Sequence, residues 1–452
     1  MRKQISLFLS LALLLCCLGG CQRQAAPEQP EPREQAPVSP EPEAEPQPEP
    51  GWDADVVPFD PAGFTREQML EDYDYLWETI QENCPLTAAY PQQMGQTVDE
   101  ARQQYRQRFE ALADGDGEGF STAMSYTGNM AFKGLGHIGG MPATQYYLMM
   151  NNQDRADPEI LRMIDNPQAA SYYKWEMSLP AYQAMADQTK NIDDVSHEKA
   201  EKEFREFLQH NIQTKIYGET AYLAVKSFSP PLGAEQMAIE EIQTFCRQNL
   251  GAKHIIIDIR GNGGGSDALW MEGFQPLLAG KDWTWETIAG YKDTPLNRQN
   301  WGDWPQNDKS IQRISAEEMN FSDANLEHRG AMDGIFIRTD VIAGDEGPIF
   351  QGKVWLLINS SNYSAAESFV QFAQRSGFAT LVGEQTRGNG GAVRNTPYNY
   401  FSLPNSGRMV RFVPFYYFNQ DGTCNSLEGT KPDIDVGAED ALEICLREIA
   451  GA

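Results

Sequence analysis

Positive charge is scarce in this sequence. Against 64 aspartates and glutamates stand only 36 lysines and arginines, a formal net charge of −28 over 452 residues. A chain so acidic repels phosphate backbones, and no long basic cluster offsets the repulsion, so no nucleic-acid partner is expected. Long apolar runs are equally few. The longest, Ile5 to Leu18, falls short of the roughly 20 residues that span a bilayer. Cysteine is sparse after residue 21: Cys84, Cys246, Cys424 and Cys445 are spaced too widely for a disulfide framework or a CxxC metal pattern. Free buried thiols are expected, with one bridge left open. Gly-x-Ser-x-Gly and the P-loop are both absent. His197-Glu198 lacks the second histidine of a zinc helix, and neither "GNGGGS" nor "GNGGAV" completes a dinucleotide fingerprint. "DGDGEGF" from Asp114 imitates a calcium loop but carries Ser125 where a bidentate glutamate is required. None of these patterns points to a metal or nucleotide site, and the serine chemistry weighed below needs no metal or organic cofactor.

What is present begins with a leader. Arg2 and Lys3 precede the apolar run, which ends in Leu18-Gly19-Gly20-Cys21. This is the layout of a secretory signal, and the small residues before Cys21 resemble a bacterial lipobox, in which that cysteine is lipidated. Residues 22–50 are almost wholly Pro, Glu, Gln and Ala. They cannot bury a core and read as an extended tether behind a membrane anchor. The expected divisions are a signal at 1–21, the tether at 22–50, an α-rich region at 51–215 and an α/β region at 216–452.

Helical spacing of Met69, Tyr73, Leu76, Trp77 and Ile80, behind a Thr65 cap, predicts a helix over 64–83, and a second falls at 98–112. From Gln145 to Gln213 the chain is polar, rich in Met and Tyr, and mostly helical in pattern. Then the rhythm changes. "TAYLAV" (220–225) and "HIIIDI" (254–259) read as strands, the second covered on both faces, with a helix between them around Ile239, Ile242 and Phe245. "VWLLI" (354–358), a helix from Ala365 and "TLV" (380–382) continue the alternation, which argues an α/β core with crossover connections. An insertion at about 281–350, carrying Trp283, Trp285, Trp301 and Trp304, is expected to be a surface element with a small core of its own, with a wall of the substrate cleft as the alternative. Pro404-Asn405-Ser406-Gly407 between two apolar stretches predicts a hairpin.

At the junction of "VWLLINSSNYS" and the helix stands Ser364. A hydroxyl there is either a helix cap or a nucleophile beside N–H groups able to hold an oxyanion. Three stretches weigh on the choice. "HIIIDIRGNGGG", "VWLLINSSNYSAAESF" and "LVGEQTRGNGGA" together resemble the tail-specific (C-terminal processing) peptidases and their tricorn-core-like relatives. "GETAYLAVKSFS" at 218–229 and "EGTKPDIDV" at 428–436 fit the opening strand and closing segment of that family. The likeness covers roughly 215–450. It implies a crotonase/ClpP-like α/β core with an N-terminal helical domain, and a serine peptidase acting on peptides or unfolded protein segments. Ser364 would be the nucleophile. Gly263 or Gly264 would supply one oxyanion-hole N–H and Ala365 the other. The tail-specific lysine is missing, since Asn389 stands in its loop, so the tricorn-like arrangement is the better guide. It implies His137, in "FKGLGHIGGM", as base and Glu428 as its orienter, with His328 in reserve. Gly136 stands where that branch offers a hydroxyl, and Ala365 where it offers an acid. No PDZ-like stretch is visible between 145 and 215. An unperturbed histidine base would lose activity near pH ~6.5. The alternatives are an esterase on the same constellation, and a lipid-anchored peptide-binding protein whose active site has decayed.

Overall fold

The structure is a computed structural model, and it describes residues 59–156, 160–161, 164–301, 311–315, 318–319, 323–388 and 398–451. Cys21, the tether, Trp304 and Asn389 lie outside them.

The N-terminal region is helical, and its helices start where short polar side chains can stop them fraying. The Thr65 hydroxyl accepts from the Gln68 N–H while the Gln68 carboxamide accepts from the Thr65 N–H, which satisfies two orphan donors at once. The helix so begun, α1 (Arg66–Asn83), buries Met69, Tyr73, Leu76, Trp77 and Ile80, the residues whose spacing predicted it. Thr97 and Glu100 repeat the device at α2 (Val98–Glu110). "DGDG" is a helix start too: the Asp116 carboxylate accepts from the Gly119 N–H at the head of α3 (Gly117–Ala131). After α3 come the two-residue strand β1 (Gly139–Gly140), then α4 (Ala143–Asn151), α5 (Pro167–Ser178) and α6 (His197–Asn211).

The second half is built on a six-stranded sheet. Its order is β2 (Ile212–Tyr217), β3 (Thr220–Val225), β4 (His254–Asp258), β8 (Lys353–Ile358), β9 (Thr380–Gly383) and β13 (Ile434–Asp435). All neighbours run parallel except β2 against β3. Both faces are covered, which explains the unbroken isoleucines of β4. Ile255 and Ile257 pack with α7 (Glu235–Gln248), α8 (Asp267–Gly273) and α9 (Ala365–Ser376), while Ile256 faces Trp355, Leu357 and Cys445 of α10 (Ala441–Gly451). The α/β core and the helical N-terminal region expected from the sequence are both present.

The insertion does not keep a core to itself. Its strands β5 (Trp283–Tyr291), β6 (Ile311–Ile314) and β7 (Gly334–Ile342) form an antiparallel sheet completed by β12 (Phe415–Tyr417), in the order β12-β5-β7-β6. Trp285 meets Phe372 of α9 at 5.1 Å between ring centroids, and Trp301 stacks on Phe415 at 5.4 Å. Trp285 and Trp301, two of the tryptophans that suggested a separate small core, instead bind the insertion to both large ones. The predicted hairpin exists as β10 (Asn399–Ser402) and β11 (Met409–Phe412), but β11 has a second neighbour: Gly139 and Gly140 of β1 pair with Arg411 and Val410. The C-terminal strands thereby share one core with the N-terminal helices. The four described cysteines are buried and free.

Candidate active site

β8 ends at Ile358, α9 begins at Ala365, and the turn between them is held by asparagines. The Asn359 N–H donates to Asn362 Oδ1 (2.8 Å), and Asn362 Nδ2 donates to the carbonyls of Ile259 (2.6 Å) and Asn262 (3.1 Å). The Gly261 N–H donates to Asn359 Oδ1 (3.0 Å). The Ser364 turn and the glycine-rich turn after β4 are therefore tied to each other through buried amides. Ser364 occupies the N-cap position of α9 but makes no capping hydrogen bond, and its backbone sits at φ 56°, ψ −126°. A non-glycine residue there is strained, and such residues persist only where the surroundings enforce them. The plain cap reading fails on this geometry.

The glycine-rich turn presses against the serine. A Cβ added at Gly264, itself at φ +100°, would lie 2.6 Å from the Tyr363 carbonyl oxygen, 2.9 Å from Ser364 Cβ and 3.0 Å from the Ala365 nitrogen. Only glycine allows that approach. The Gly264 N–H, however, already donates to Asn262 Oδ1 at 2.8 Å. Of the two N–H groups proposed for that side of an oxyanion hole, Gly263 is the one with no acceptor among the described residues, and it is exposed. The Ala365 N–H, at the first position of α9, has none there either.

His137 lies in the loop between α3 and β1 and is the second non-glycine residue at positive φ, 51°. Its loop is fixed from both sides, by the Val413 N–H donating to the Gly136 carbonyl (2.9 Å) and by the pairing of β1 with β11. The imidazole centroid stands 5.2 Å from the ring of Tyr363, the residue before Ser364, and 6.2 Å from Tyr398. The Arg387 guanidinium lies 5.0 Å from the same Tyr363 ring. Part of His137 reaches solvent, but its Nε2 is buried without a hydrogen-bond partner. Burial, with the Arg411 charge adding to it, pushes the imidazole down to about 3. That replaces the ordinary value assumed from sequence. No hydrogen bond joins His137 to Ser364, and Ser364 is only 4% exposed.

Among the described residues no hydrogen bond or ion pair joins Glu428 to His137. Glu428 ends the short helix Asn425–Glu428, and its carboxylate lies 3.9 Å from Lys431 at the surface. The buried carboxylate near the serine is Glu367, one helical turn on, whose Oε1 accepts from Asn425 Nδ2 (2.8 Å) and the Thr430 hydroxyl (2.5 Å). Its Oε2 is buried and unpartnered, and burial raises its pKa above the ordinary carboxylate value. Sequence reasoning passed over Glu367, although an acid on the same helical stripe as Val370 was a signal. The held-over His328 is buried against the Tyr416 hydroxyl at 2.7 Å, a structural partner. A hollow of about 870 Å³ lies elsewhere, lined by Tyr105, Arg108 and Tyr126 on α2 and α3, and touches none of these residues.

Residues 219–436, a little under half of the chain, match the model of peptidase family S41, a span that takes in β3, β4, β8, β9 and β13 of the large sheet, both turns and the closing segment. No curated protein matches the chain. Among solved structures it is similar to mature CPAF (13% identity over 82% of this chain and 93% of that one, TM-score 0.44). It is also similar to a lipoprotein from Streptococcus agalactiae (10%, 85% and 96%, 0.42) and to the photosystem II D1 C-terminal processing protease (12%, 82% and 93%, 0.38). These likenesses are too distant to carry a residue's role from one chain to another.

Proposed function

We propose that this protein is a serine-type peptidase that hydrolyses peptides or unfolded protein segments outside the cytoplasm, held to a membrane by a lipid on Cys21. The observation that carries the reading is one of backbone. Among the described residues other than glycine, only Ser364 and His137 have left-handed φ, and these two come from distant parts of the chain to the same ring, Tyr363. Backbone strain of this kind clusters at functional sites. Ser364 Oγ attacks the scissile carbonyl. His137 accepts its proton and returns it to the leaving amine. The free N–H groups of Gly263 and Ala365 hold the oxygen as it gains charge. Cover over Ser364 must shift to admit substrate, and the absent Ser–His hydrogen bond forms at that stage, as such bonds often tighten only with substrate bound.

The test is labelling of the full chain with a fluorophosphonate, comparing wild type with Ser364→Ala and His137→Ala. Loss of labelling in both variants supports an activated serine with a histidine base. A folded wild type that takes no label sinks the reading. One observation favours a second reading: a serine this buried, unbonded to its base, suits a peptide-binding protein that has lost its chemistry. Peptide capture by an unlabelled wild type would establish it.

A further inference from the structure

The strand that follows His137 is held in a place made for it by two other residues. Gly128 lies inside α3, buried, where alanine would ordinarily make the better helix. A Cβ on Gly128 would stand 3.2 Å from Gly139 Cα and 3.2 Å from the Gly140 nitrogen, so the helix backbone lies directly against β1. A Cβ on Gly140 would stand 3.0 Å from Arg408 Nε and 3.1 Å from its Nη2. That guanidinium is held through its two terminal nitrogens, while its Nε has no hydrogen-bond partner among the described residues. It donates to the Ser121 hydroxyl (3.1 Å), the Tyr172 hydroxyl (2.9 Å), Glu176 Oε1 (3.0 Å) and the Ser125 hydroxyl (2.8 Å), and it is buried. Ser121 and Ser125 belong to α3 as well, so Arg408 binds the hairpin to the helix that Gly128 opens for β1. Gly139, between the two contacts, has nothing within 4 Å of its own added Cβ.

We infer that Gly128 and Arg408 are positioning residues for His137, together forming a clasp that sets where β1, and hence the imidazole, stands. The inference rests on His137 acting as the base. It predicts a sign that helix propensity alone would reverse: Gly128→Ala should improve α3 and harm the site. Its order along the chain is equally specific, with harm at 128 and 140 and none at 139.

The experiment uses the full chain with Gly128→Ala, Gly140→Ala and Gly139→Ala. Two readouts are followed, the rate of fluorophosphonate labelling and the NMR signal of the His137 imidazole, identified by its loss in His137→Gln. Displacement by a few tenths of an ångström should slow labelling roughly tenfold at 128 and 140. The imidazole should then titrate closer to the ordinary histidine value, while Gly139→Ala matches wild type. A purely structural role would lower Tm and leave the titration in place. Wild-type labelling and an unmoved imidazole in both Gly128→Ala and Gly140→Ala overturn the inference, as does equal harm from Gly139→Ala. Should Gly128→Ala fail to fold, Gly140→Ala decides by the same two readouts. A wild type that takes no label means that the peptidase reading has failed, and the imidazole signal alone then decides the clasp.

Discussion

The Ser364 turn and the His137 loop solve one problem in two ways. Each holds a side chain on strained backbone. The serine is fixed by near neighbours: β8 before it, α9 after it, and the glycine turn of the adjacent parallel strand bonded to it through Asn262, Asn359 and Asn362. The histidine is fixed by remote ones. Val413 holds Gly136, β11 holds β1, and Arg408 ties both to α3. The proposed nucleophile is thus held by the α/β sheet. The proposed base is held by packing between the N-terminal helices and a C-terminal hairpin.

The largest effects should break the nucleophile side. Ser364→Gly should abolish labelling and yet raise stability, by about 1 kcal/mol, because glycine accepts the backbone that serine endures. Paired labelling and urea titration would show this, and a destabilised glycine variant would mean that the turn is not strained. Gly264→Ala should slow labelling by roughly 100-fold or more by intruding on the oxyanion space, and near-normal rates would remove that turn from the mechanism. Next comes Glu367. Replacement by Ala leaves Asn425 and Thr430 without their acceptor and should lower stability by roughly 2–4 kcal/mol. Glu367→Gln should lower it far less, since burial already favours the uncharged form. If Gln proves as damaging as Ala in urea midpoints, the site needs the charge.

The base side makes a quieter prediction. With its imidazole near 3 in the fold and about 6.5 when unfolded, His137 should stay neutral through mild acid. Labelling rates should then hold down to about pH 4, where an ordinary histidine would have failed. Between those two values the unfolded chain binds a proton that the folded one refuses, so the histidine's share of stability is complete above pH ~6.5 and drains away as pH falls towards 3. Urea midpoints of His137→Gln should show a shallower loss across that window. The smallest effect belongs to Glu428→Gln, under about twofold in labelling, because its weak surface pairing with Lys431 stabilises little. A large effect there would restore Glu428 to the site.

The same division separates what the sequence disclosed from what it hid. Helix starts at Thr65 and Thr97, the all-buried β4 and the strand–turn–helix at Ser364 are local, and local chemistry writes them plainly. The pairing of Gly139 with Arg411 leaves no periodic trace, since β1 is two glycines long. The insertion's tryptophans announced burial without saying against what. His137 was named by the likeness, from its place in a glycine-rich loop, but its lowered pKa arises from burial and from Arg411, a neighbour by fold alone. Glu428 was carried over from a likeness in chain order, and order does not say which way a carboxylate faces.

The backbone at Ser364 also bears on how such a chain drifts. Some serine and glycine codons differ by a single nucleotide, and at φ 56° with no capping bond the glycine form would fold at least as well. A protein with no further use for a hydroxyl at that point would find substitution easy and even favourable, and would wear down there before it wore down in the core.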